Sequence, residues 1–66
     1  MRIYELHFFD GDGRRPLLDF HDGVDDADAL RAAEALLVQH TSCEGVEVHD
    51  GDRIVGRRLR SEVVSV

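Results

Sequence analysis

Lysine is absent from this chain, and all eight of its basic residues are arginine. They are outnumbered by 14 acidic residues, which leaves a formal charge of −6. A nucleic-acid binder carries a basic footprint that neutralises phosphates, so this balance argues against nucleic acid as a partner. Cysteine occurs once, at Cys43, which excludes a disulfide within the chain. A lone cysteine and four scattered histidines do not supply a closed structural zinc site. No apolar run approaches the roughly 18 residues that a membrane-spanning helix needs. Met1 leads straight into alternating sequence with Glu5, His7 and Asp10, unlike a signal peptide, so the expected setting is cytoplasmic. Neither a phosphate-cradling glycine loop nor a nucleophile elbow is present. These absences favour a non-enzymatic protein with no cofactor.

Sixty-six residues make one small domain, residues 1–66. A single core of this size rarely supplies more than roughly 3–5 kcal/mol, so a tight core or a partner is needed. Hydrophobic content of 42%, arranged periodically, speaks against disorder. From Arg2 to Phe9 the residues alternate, with Tyr4, Leu6 and Phe8 on one side and Glu5 and His7 on the other, which predicts a strand. Asp10-Gly11-Asp12-Gly13 is turn chemistry, and Pro16 to His21 reads as a second strand that starts on its proline. Pairing Phe8 with Leu18 and Leu6 with Phe20 sets His7 beside Asp19 and Glu5 beside His21 on the outer face.

Asp25, Asp26 and Asp28 suit the N-cap and first turn of a helix, which continues through Ala27 to His40. Ala29, Leu30, Ala33, Leu36 and Leu37 share one arc of that helix and predict its sheet-facing side. Val46 and Val48 then alternate with Glu47 and His49, Asp50-Gly51 signals a tight hairpin with the two central residues of a type I′ turn, and Arg53 to Arg60 returns as a strand. Two registers are open for this hairpin, Val46 with Val55 or Val48 with Ile54. The β-branched tail, residues 61–66, either extends the last strand or frays. The expected fold is α+β in the order ββαββ: an antiparallel, four-stranded sheet with one amphipathic helix across one face.

Several constellations bear on function. Asp10-Gly-Asp12-Gly superficially matches a calcium loop, but Arg14 and Arg15 stand where ligands belong. His7 and His21, with Glu5 and Asp19, share the expected outer face and make the best candidate set for a weak divalent-metal site. Cys43 reads as a small buried hydrophobe at the joint between helix and strand. Charge is segregated: seven aspartates lie between Asp10 and Asp28, and four arginines without an acid lie between Arg53 and Arg60. Such segregation serves either as solvated loops with a charge-protected edge strand, or as self-complementarity between two subunits.

The run Tyr4-x-x-His7-x-x-Asp10-Gly11, the segment Asp19 to Gly23, the alanine-rich helix Ala29 to Leu37, and Val46-Glu47-Val48-x-Asp50 before Arg53 together resemble a known group. It consists of small uncharacterised bacterial proteins with a hairpin–helix–hairpin domain of unknown function. The resemblance spans nearly the whole chain and implies that architecture and a bacterial, cytoplasmic setting. It carries no catalytic residue.

The functional expectation is a non-enzymatic interaction module that forms a homodimer, or meets another protein partner, through its second sheet face or an edge strand. Its contacts would be Phe9, Leu17, His7, His21 and the arginines Arg53, Arg57, Arg58 and Arg60. An alternative is an acidic inhibitor that mimics nucleic acid with its aspartates and fills a basic groove. The second alternative is the weak metal binder on the sheet-face histidines.

Overall fold

A computed structural model of the chain describes residues 2–63. Its elements are β1 (Arg2–Phe9), β2 (Leu17–Gly23), α1 (Asp26–Gln39), β3 (Gly45–Asp50), β4 (Arg53–Leu59) and the short α2 (Arg60–Val63). The four strands form one antiparallel sheet in the order β2-β1-β3-β4. The fold is therefore ββαββ and α+β, as the patterning predicts. Both helices lie on the same side of the sheet.

Alternation in β1 decides which side that is. Tyr4, Leu6 and Phe8 are fully buried against Val46 and Val48 from β3 and Ala29, Ala33 and Leu37 from α1. The two alanines leave no bulk between helix and sheet, and Leu30, Leu36, Leu17 and Val55 close the rim of the core. Cys43 is buried in the same cluster, as its position after the helix suggests.

Both ends of α1 are held by side chains. Asp25 is its N-cap, accepting from the Asp28 amide at 2.8 Å, and Asp26 and Asp28 add negative charge to the first turn. The last turn contains no basic residue and no glycine follows it. Arg60 supplies the missing cation from a distant point of the chain. Its guanidinium donates to the carbonyls of Leu37, His40 and Cys43. That clamp satisfies carbonyls that a helix end otherwise leaves bare.

The first hairpin departs from the expected register. Phe8 pairs with Leu17, Leu6 with Asp19 and Tyr4 with His21, one residue off the expected alignment. Because side chains alternate, this slip sends Leu18 and Phe20 to the open face and Leu17, Asp19 and His21 to the helix side. The cause lies at both ends of β2. Before it, Asp10 ties the loop, its carboxylate accepting from the amides of Asp12 and Arg14 and its own amide donating to the Arg14 carbonyl. After it, α1 starts at once, and the helix-facing side of β2 must admit its first turn. Gly23 leaves that room, since a Cβ there would meet His21, Asp28 and Tyr4 at 3.0–3.2 Å. His21 then bonds to Asp28 at 3.0 Å.

The second hairpin adopts neither expected register. Asp50 pairs with Arg53 around Gly51-Asp52, and only Gly51 has positive φ, the pattern of a type II′ turn. A bulge opposite Val48 and His49 then shifts the ladder by one residue. The strand ends at Leu59, and residues 60–63 turn into α2 rather than extending it, with Glu62 accepting from the Leu59 amide. Residues 64–66 of the tail lie outside the described residues.

Two substitutions test this account of the core and its caps. Arg60→Ala should lower the unfolding free energy by about 1–3 kcal/mol, the worth of hydrogen bonds from a charged donor to bared carbonyls. Gly45→Ala should cost about 1–3 kcal/mol by overpacking, because the new methyl would meet the Phe9 ring at 2.4 Å and the Arg58 carbonyl at 2.7 Å. Gly11→Ala, with open space around it, serves as a near-neutral control. Urea denaturation measures all three.

Candidate interaction surface

Both helices lie on one side, and no element among the described residues covers the other face of the sheet. The registers assign its positions. One row across the strands reads Phe20, Glu5, His49, Ile54, and the next reads Leu18, His7, Glu47, Arg57. Ile3 stands beyond the first row, and Phe9 lies beyond the second. Ile3 is 59% exposed, Leu18 50%, Phe20 59% and Ile54 60%. Apolar side chains thus flank a polar centre on this face.

The polar centre is built by two copies of one local pattern. Glu5-Leu6-His7 in β1 and Glu47-Val48-His49 in β3 run antiparallel, so each glutamate stands opposite the other strand's histidine. Within each strand the histidine Nε2 bonds to the glutamate two residues before it, at 2.9 Å for His7 with Glu5 and 2.7 Å for His49 with Glu47. The two imidazoles meet across the strands with centroids 4.3 Å apart. Arg15 reaches from the loop to Glu47 at 3.3 Å. The bond to His49 is the main cause, ahead of Arg15, that holds the Glu47 carboxyl below its ordinary range.

The expected contact residues divide between the two faces. His7 and Arg57 are on the open face. Phe9 is there too, but its ring is covered by the Arg57 guanidinium, 4.6 Å from the centroid, and only 8% of the residue is exposed. Leu17 and His21 lie on the helix side, a correction that follows from the one-residue slip in β2. The same slip breaks the expected metal set: His7 and Glu5 share the open face, while His21 and Asp19 turn to the other. Among the described residues no three or more His, Cys, Asp or Glu side chains are arranged to hold a metal ion.

The arginine-rich strand is largely neutralised within the chain. Arg53 forms a two-pronged contact with Asp26 at 2.9 and 3.0 Å and bonds to Asp50 at 2.9 Å. Arg58 pairs with Glu34 at 2.9 Å, and Arg60 is committed to the end of α1. Four of the seven early aspartates are committed too: Asp10 to its loop, Asp25 to the cap, Asp26 to Arg53 and Tyr4, and Asp28 to His21. Much of the charge segregation along the sequence thus resolves into pairs that close the fold.

An open cleft of about 460 Å³ lies at the start of α1, lined by Arg2, Tyr4, Val24, Asp25, Asp26 and Ala27. Its polar groups already have partners: Tyr4 donates to Asp26 at 2.9 Å, and Arg2 bonds to Asp50 at 2.8 Å. Burial, reinforced by the bond to Asp26, pushes the Tyr4 phenol up. Arg53 first, then Tyr4, holds the Asp26 carboxyl down at about 2.

The expected register sends Leu18 and Phe20 to the helix side, and alternation places His49 on the side opposite Val46 and Val48 without bringing it to His7. His49 needs the strand order, which brings β3 beside β1. The repeated Glu-x-His was its signal in the sequence. No family model, curated protein or solved structure matches this chain. No helix among the described residues is long and apolar enough to cross a membrane.

The carboxylates predict an acid-sensitive fold. Asp26 and Asp28 titrate lower folded than in an open chain, Asp28 chiefly through its bond from His21. Their stabilisation is in full force above the unfolded carboxylate range near pH 4 and is lost as pH falls through the folded values. The melting temperature should therefore drop steadily below about pH 4. Asp26→Asn should flatten that drop while lowering the melting temperature at neutral pH, as thermal melts from about pH 7 to 2 will show.

Proposed function

We propose that the protein is a non-enzymatic interaction module that associates with a second copy of itself through the open sheet face. One observation carries this reading: Ile3, Leu18, Phe20 and Ile54 are half or more exposed on a single face, while both helices pack on the other. Size supports it. The fold measures 31 × 25 × 16 Å, so one of its faces is on the scale of the roughly 800 Å² per partner of a standard interface. Two such sheets would stack about 10 Å apart, as in a β-sandwich, and turn a half-wet sheet into the centre of a larger core.

The face also suits a self-partner chemically. Its apolar groups lie at the edges and its paired glutamates and histidines lie at the middle, so a two-fold axis sets like beside like at the edges and bonded pairs at the centre. The bacterial, cytoplasmic setting implied by the sequence resemblance belongs with this reading. The charge-mimic alternative draws less support, because Asp10, Asp25, Asp26 and Asp28 are already engaged within the fold.

Light scattering coupled to size-exclusion chromatography tests the proposal. At high micromolar concentration, in chelator-treated buffer, the chain should elute at twice its 7.4 kDa mass. Phe20→Arg, placed on an exposed edge position, should leave the circular-dichroism spectrum unchanged and shift the mass to that of one chain. A wild-type monomer under the same conditions contradicts the reading.

A further inference from the structure

We propose that His7 and His49 form half of a divalent transition-metal site that a second copy of the chain completes; this rests on the face-to-face association proposed above.

The two Glu-x-His segments carry the inference. Each histidine presents Nε2 to a carboxylate oxygen within 2.9 Å. An ionised carboxylate only accepts, so the ring proton resides on Nε2 and the lone pair of the neutral imidazole on Nδ1. A carboxylate that holds one ring N–H is the usual support of a metal-ligating histidine, because it fixes the tautomer and raises the basicity of the other nitrogen. Here both histidines have that support, and Arg15 steadies one of the carboxylates by its own bond to Glu47. The ring centroids lie 4.3 Å apart, with the rings tilted 46° to each other. They belong to the two central strands, so they stand in the middle of the open face rather than at an edge.

A single chain stops short of a site, since no three suitable ligands come together among its described residues. Two imidazoles leave half of a four-coordinate shell empty. A two-fold axis through the middle of the face supplies the other two. Imidazole ligands suit zinc, copper and nickel rather than calcium or magnesium. His21 has the same kind of carboxylate partner, Asp28, but sits alone on the helix side.

The test is sedimentation equilibrium of the full chain with added Zn²⁺ and with EDTA. Zn²⁺ should tighten dimerisation by about tenfold or more, at one ion per two chains, and EDTA should reverse it. His7→Ala and His49→Ala should abolish the response, whereas His40→Ala, at the end of α1 beside Phe8 and off the open face, should keep it. Circular dichroism will confirm that each variant is folded, and His49→Asn provides a polar substitute if His49→Ala is not. A dimer whose affinity is the same in Zn²⁺ and EDTA overturns the metal site and leaves the association reading standing. Zn²⁺ bound at one ion per chain without a change in mass also overturns it. A monomer under every condition overturns both.

Discussion

Everything in this fold depends on how one helix divides the two sides of β1. Tyr4, Leu6 and Phe8 project toward α1 and are sealed, while Glu5 and His7 project the other way. A 14-residue helix that meets the sheet through Ala29, Ala33 and Leu37 can cover one face only. Its close approach gives a dense core, and among the described residues the opposite face of the four strands has no covering element. An antiparallel sheet can keep such a face in water, so it is the apolar side chains on that face that make it a candidate surface.

Small size is offset by economy in the charged groups. The chain lacks disulfides, so its ends and turns are held by ion pairs and caps. Arg60 reaches back to close the end of α1, Arg53 links β4 to Asp26 and Asp50, and Asp25 starts the helix. The exposed pairs among these contribute little singly. The partly buried ones, Arg60 on the helix carbonyls and Tyr4 on Asp26, join elements far apart in sequence and so stabilise the tertiary arrangement.

Much of the architecture was legible in the sequence because it rests on local physics. Period-two alternation marks β1 and β3, the acidic first turn and uninterrupted helix formers mark α1, and Asp50-Gly51 marks the second hairpin. The one-residue slip of β2 was not legible, since the alternative pairing also satisfied both faces of an isolated hairpin. What decides between them comes from both ends of β2: the Asp10-tied loop before it, and after it the room that Gly23 makes for α1 and the bond from His21 to Asp28. The slip in turn moved Leu18 and Phe20 to the open face and separated His21 from His7. The bulge at Val48 and His49 was equally hidden, because alternation cannot reveal an extra residue. His49 was within reach through the matching Glu-x-His segments, and only the strand order turns that echo into a contact.

The central claim is that the open face meets a second copy of itself. Its most direct measurement is an isotope-filtered nuclear Overhauser experiment on a mixture of labelled and unlabelled chains, which registers only contacts between copies. The account predicts intermolecular signals among Ile3, Leu18, Phe20 and Ile54, with none from Val38, an exposed side chain of α1. Intermolecular signals from Val38 instead of Phe20, or a mixed sample with no intermolecular signals at all, would contradict it.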